Sequence, residues 1–149
     1  MKIKLLLAAL IIFGFITCTK DTFNTTPSLK FVSVNGNVFA QPSVVTFNLE
    51  CTDKEGDVVD TIWIQRISRV SACESEVALY DSFPIPDFSP PKNVKAEFEF
   101  TFNYPGPQAP NLRACSQHDD TSYFRFWMHD KAQHVSDTVQ SQDIVLLQQ

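Results

Sequence analysis

The chain has 149 residues, with 12 lysines and arginines against 17 aspartates and glutamates, for a formal net charge of −5. That balance excludes a surface built for nucleic acid, whose phosphates demand clustered Lys and Arg, and it offers no basic patch for adsorption to anionic lipid. Hydrophobic residues make up 44%, enough for one core, while only four glycines are present to build phosphate-cradling loops.

In chain order, Lys2 and Lys4 precede an apolar run from Leu5 to Ile16, which Thr17 and Cys18 close. A basic start, a short apolar stretch and a small polar residue are the grammar of a secretory signal peptide. At about 1.5 Å per residue the run covers roughly 18 Å, too little for the hydrocarbon core of about 30 Å. Phe15-Ile16-Thr17-Cys18 resembles a bacterial lipobox, the alternative being an ordinary signal peptide cut without lipid attachment. The resemblance implies a lipoprotein signal peptide over residues 1–17 and acyl chains, palmitate among them, on Cys18. Each CH₂ buried in the bilayer contributes about 0.8 kcal/mol, so two or more chains anchor stably. Residues 18–28, polar after the cysteine, read as a flexible tether. Lys20-Asp21 resembles the short Lys-plus-acid signals that send some lipoproteins to the cell surface. The expected address is therefore the outer membrane, lipid-anchored and at the cell surface.

The remainder, 29–149, alternates with period two, the mark of half-buried strands. Candidate strands are Leu29–Val34, Val44–Cys51, Val58–Ile67, Lys95–Tyr104, Ser122–Asp130 and Asp143–Leu147, the last starting as early as Ser136. In Lys95–Tyr104, Ala96, Phe98, Phe100, Phe102 and Tyr104 share one face. In Ser122–Asp130, Phe124, Phe126 and Met128 oppose Tyr123, Arg125 and Trp127. No sustained 3.6 period appears, which limits helix to a turn near Ala72–Leu79. Proline clusters at Pro84 to Pro91 and Pro105 to Pro110 read as long connections. About seven strands in one domain predict an all-β, antiparallel sandwich of the immunoglobulin or fibronectin kind.

Thr52-Asp53-Lys54-Glu55-Gly56-Asp57-Val58 resembles the D-x-D-G-D turn of small Ig-like domains in Bacteroidota-type lipoproteins. Phe124 to Ala132 followed by Val135-Ser136-Asp137-Thr138 resembles their closing hairpin. The resemblance implies an Ig-like fold and a cell-surface address, and no activity. Where that family tends to place glycine, this chain has Gln133, which predicts either a different turn or a strained one.

The acidic turn has two readings. Asp53, Glu55 and Asp57 alternate and can converge on a hard cation such as Ca²⁺, with Asp130 and Asp137 joining from a neighbouring loop. Alternatively they keep a hairpin turn solvated while Gly56 supplies a positive φ. No other cofactor is expected. Of the four cysteines, Cys73 and Cys115 lie in polar, loop-like surroundings and are expected to pair, while Cys51 falls on the apolar face of a strand. Zinc by three cysteines and His118 lacks any C-x-x-C spacing.

No G-x-S-x-G, H-E-x-x-H or glycine-rich phosphate loop is present; His118-Asp119-Asp120 could bind a metal, although a His beside Asp in a loop is more often solvated. The expectation is a non-enzymatic, lipid-anchored interaction or structural module of the cell envelope, with a protein or glycan partner and no nucleic acid. The second expectation is a carbohydrate-binding accessory domain using Trp63, Tyr80, Tyr104, Tyr123 and Trp127, although most of these aromatics are expected in the core.

Overall fold

The computed structural model describes residues 24–58, 60–87, 89–105 and 110–148. The expected signal peptide, residues 1–17, and Cys18 lie outside them. Two eleven-residue strands, β3 (Ser43–Asp53) and β6 (Val94–Tyr104), pair antiparallel over their whole length, from Ser43↔Tyr104 to Asp53↔Val94. β1 (Ser28–Val34) adds to the other side of β3, giving a sheet of order β1-β3-β6. The second sheet contains β2 (Val38–Phe39), β4 (Thr61–Ser68), β5 (Leu79–Pro84), β7 (Asp120–His129) and β9 (Ile144–Leu146), in the order β2-β9-β7-β4-β5. β8 (Val139–Gln140) pairs with β7. β2 runs parallel to β9, and the other pairs are antiparallel.

This is the immunoglobulin arrangement. The first segment is divided between the sheets, β3 and β6 complete one layer, and β4, β5, β7 and β9 build the other. Among the described residues one short helix, α1 (Glu74–Val77), follows β4 within the expected 72–79 turn. The core lies between the layers. Along β3 the alternation buries Val45, Phe47, Leu49 and Cys51. β4 contributes Ile62 and Ile64, and β7 contributes Phe124, Phe126 and Met128. Phe47 is the central knob: its ring meets Phe124 at 4.6 Å and Phe126 at 5.5 Å across the layers, and Phe102 at 6.1 Å within its own. Such aromatic pairs add about 0.5–1.5 kcal/mol each beyond the area they bury. Along the outer edges of β5 and β6 the layers stand apart at a cleft of about 390 Å³ lined by Ile62, Phe83, Phe98 and Phe100.

Several expectations need correction. The third candidate strand begins at Thr61, not Val58; Val58 is buried, but it precedes the ladder. The C-terminal candidate is two short strands, β8 and β9, because Ser141, at the break, turns its hydroxyl to accept from the Phe124 amide. β5 was hidden by its proline: Pro84 ends an edge strand, where a missing N–H costs no ladder bond. Of the expected tether, residues 18–28, only those from Asn24 onward are described. The Asn24 carbonyl accepts from the Lys54 amide at 2.9 Å, Pro27 is buried and Ser28 already belongs to β1.

Cys73 and Cys115 form a disulfide with Cα atoms 5.4 Å apart. They sit with Val77 in a small buried cluster of their own, flanked by Val70. The bridge joins the segment carrying α1 to the connection that follows Pro110; it does not reach the Pro84 to Pro91 segment. Cys51 is free and buried, with its thiol 3.3 Å from the Met128 sulfur across the layers.

Candidate functional site

The inward face of β7 carries an aspartate at its start and another just past its end, and the two are treated differently. Asp120 and Ser122 lie inward at the start of the strand, beneath Arg66 of β4. Arg66 reaches Asp120 Oδ2 at 2.6 Å, donates to Ser122 Oγ at 3.0 Å and to the Arg113 carbonyl at 2.8 Å. Ser68 and Ser122 also donate to the Asp120 carboxylate. Both charged side chains are fully enclosed. Burial pulls the Arg66 pKa down from its ordinary value, with Asp120 opposing that fall.

At the opposite end of the sandwich, period two brings three acids together. On β3, two residues beyond Cys51, comes Asp53. On β7, two residues beyond Met128, comes Asp130. Because Cys51 and Met128 touch across the layers, these next inward positions face one another. Asp53 and Asp130 are each 0% exposed. Asp57, from the turn after β3, completes a group in which one carboxylate oxygen from each residue lies within 4.8 Å of the others.

The local chain geometry explains how the group is held. Asp53 Oδ2 accepts from the amides of Glu55 at 2.8 Å and Gly56 at 2.6 Å, closing the turn on its own carboxylate. Gly56 adopts φ +77° and lies under the Pro90–Pro91 backbone. A Cβ there would sit 2.6 Å from the Pro91 carbonyl oxygen, so both conformation and space require glycine. Asp130 Oδ1 accepts from the His134 amide at 2.8 Å, and its Oδ2 lies 2.9 Å from His134 Nδ1. The Lys131 amide donates to the Asp57 carbonyl at 2.9 Å, joining the two turns. Asp53 Oδ1 and Asp57 Oδ1 are buried without a hydrogen-bond partner. Burial, then the charges of Asp130 and Asp53, raise the Asp57 carboxyl above its ordinary pKa. The hydrogen bond and charge of Asp130 raise His134 above its own.

Among the described residues, the group able to hold a metal is thus Asp53, Asp57 and Asp130. Glu55, expected as a ligand, is exposed: in a tight turn its side chain points away while its amide faces Asp53. Asp137 is exposed and outside the group. The signal was legible as an aspartate one step beyond the apolar face in each of two strands; what alternation could not supply was the register between layers. His118 is exposed, Cys115 is in the disulfide and Asp120 belongs to Arg66, so the loop cluster does not converge.

The solvent face of the larger sheet is the second feature of the molecule. Trp63 and Trp127 are direct cross-strand partners on β4 and β7, with rings 6.3 Å apart and planes 5° from parallel. Tyr80 of β5, 63% exposed, leans against both at 5.5 and 5.8 Å. His129 continues the row, 6.4 Å from Trp63. Tyr123 lies on the same face but under Arg69, whose guanidinium sits 4.1 Å above its ring. Tyr104 is in the core, with its hydroxyl donating to the Leu147 carbonyl at 2.9 Å. The expectation that most of these aromatics form the core therefore holds for Tyr104 and fails for Trp63, Trp127 and Tyr80.

No protein-family model matches the chain, and no curated protein matches it. Nine chains of solved structures are similar in part, among them two named proteins. One is Spo0M, a sporulation control protein from Bacillus subtilis, at 11% identity and TM-score 0.46 over 83% of this chain; the chain spans only 50% of Spo0M. The other is a Niemann-Pick type C2 protein from the Japanese carpenter ant, at 9% identity and TM-score 0.45, covering 85% of this chain and 99% of that one.

Proposed function

We propose that the protein is a non-enzymatic, lipid-anchored Ig-like binding module of the cell envelope, held at the outer membrane through Cys18 and presented at the cell surface. The observation that carries the binding role is the Trp63–Trp127–Tyr80 group on the outer face of the larger sheet. The sandwich core is filled from the inward faces, so these three rings do not serve it. Large aromatics gathered on a sheet's solvent side give rigid contact area at low entropic cost, as binding surfaces do. The anchoring part of the reading rests on the lipobox-like Phe15–Cys18 stretch and on the acidic balance, which leaves no electrostatic route to the bilayer.

The test has two arms. Cells expressing the wild type and Cys18→Ala are fed an alkyne-tagged palmitate. Label on the wild type, lost in Cys18→Ala, supports the anchor, and equal label in both overturns it. Intact cells are then crosslinked, treated with surface protease and compared with a Trp63→Ala/Trp127→Ala variant. A defined partner lost in that variant supports the aromatic face as the binding surface. Unchanged capture by the variant, or full protection from protease, overturns that surface or the surface address respectively.

One observation favours a glycan as the ligand class. The Trp63 and Trp127 planes are parallel within 5°, and Tyr80 stands beside them. The two indoles stack on one another and brace Tyr80, whose exposed ring is open to an apolar sugar face, while Gln65, Arg125 and Ser82, which share the face, offer hydrogen bonds. Affinity electrophoresis in gels carrying envelope polysaccharides is expected to retard the wild type and not the double Trp variant. Equal mobility across a polysaccharide panel removes this reading and leaves a protein partner.

A further inference from the structure

The two ends of the β7 inward face pose the same electrostatic problem and solve it differently. A carboxylate taken out of water needs compensating charge or hydrogen bonds, since an unpaired buried charge is among the costliest features a fold can carry. Asp120 has the Arg66 guanidinium and two serine hydroxyls. At the other end three carboxylates converge. Asp53 is fully buried, its Oδ2 takes two amides and its Oδ1 has no partner. Asp57 Oδ1 is buried and unpartnered as well.

We propose that Asp53, Asp57 and Asp130 bind a Ca²⁺ ion that ties the turn after β3 to the hairpin after β7. All three donors are hard oxygens, and no sulfur or ring nitrogen belongs to the group, which selects for a hard cation over zinc or copper. Ca²⁺–oxygen distances of about 2.3–2.6 Å allow two ligands of one ion to stand up to about 5 Å apart, and the 4.8 Å span lies within that limit. The unpartnered Asp53 Oδ1 and Asp57 Oδ1 supply one ligand atom each. The Asp130 oxygens keep a lone pair beyond the bonds they make to His134. The turns are already joined through the Lys131 amide and the Asp57 carbonyl, so the ion completes a preformed clasp and does not have to create one.

The test uses the full-length lipoprotein in mild detergent, by thermal unfolding and by calorimetric titration with CaCl₂. At about 5 mM Ca²⁺, above the range in which extracellular Ca²⁺ modules saturate, Tm is expected to rise by about 5 °C or more and to fall back on adding EDTA. Mg²⁺ at the same concentration is expected to give a smaller shift, because it holds its ligands closer and in stricter octahedral order. Asp57→Asn, isosteric and on the rim of the group, should abolish the Ca²⁺ shift, whereas Glu55→Gln should retain it. No Ca²⁺-dependent heat or shift in the wild type overturns the site. A full shift in Asp57→Asn, or its loss in Glu55→Gln, overturns the ligand set.

Discussion

Tyr104 and Cys51 hold their protons because the core gives the charged forms no solvation. Tyr104 is 0% exposed, and burial raises its phenol above the ordinary value. Burial, then the charge of Asp53, pushes the Cys51 thiol up to about 12. Both groups bind protons more tightly folded than unfolded, so stability is complete below their unfolded pKa values and falls as pH rises toward the folded ones. Urea unfolding from pH 8 to pH 11 is expected to show a declining midpoint, and Tyr104→Phe should flatten the upper part of that decline. At neutral pH the same variant loses the Leu147 hydrogen bond at a cost of about 1 kcal/mol. A midpoint that falls as steeply in Tyr104→Phe would show that other groups govern the alkaline limb. Arg66 and Asp120 are the other residue-scale dependency. Asp120→Asn leaves a buried guanidinium without its counter-charge, for an expected loss of about 3–5 kcal/mol in urea unfolding. The paired replacement Arg66→Met/Asp120→Leu should recover most of that loss, and an additive result would contradict the pairing.

Among the elements, the turns decide which side chains meet. Gly56 takes the positive φ that its place in the acidic turn foretold, and the Pro90–Pro91 backbone above it explains why no larger residue fits. Gln133 also takes a positive φ, +66°, a conformation that favours glycine. Its side chain donates to Asp60 Oδ2 at 2.9 Å, an anchorage glycine could not make. The strand faces of β3, β6 and β7 were legible because a period of two buries every second residue. β5 was not, because a proline-bearing edge strand has the composition of a loop. The Cys73–Cys115 bridge was legible from its polar surroundings, although the segments it joins were only half anticipated. In the chain-entropy model a closure across 42 positions contributes about 4 kcal/mol. Cys73→Ser/Cys115→Ser is therefore expected to lower the urea midpoint strongly while leaving the far-UV β-sheet signal intact at low denaturant. A loss under about 1 kcal/mol would mean that the reduced chain keeps those segments together in its unfolded state.

At the scale of the whole molecule, the sandwich separates two surfaces with different chemistry. The acidic clasp lies at the end where the turn after β3 meets the hairpin after β7, and the aromatic row lies across the solvent face of the larger sheet. His129 closes the aromatic row, and Asp130, next in the chain, belongs to the clasp, so β7 adjoins both. The sequence by itself determined the all-β class, the inward faces of the long strands, the disulfide partners and the glycine turn. Each of these depends on local alternation, local conformational freedom or local polarity. Only the tertiary structure decided that Asp130 replaces Glu55 beside Asp53 and Asp57, that Arg66 answers Asp120, and that Trp63 and Trp127 stand parallel on the outer face. Those contacts join residues more than fifty positions apart, and their geometry depends on strand order and on the register between layers, which no periodicity within a single strand records.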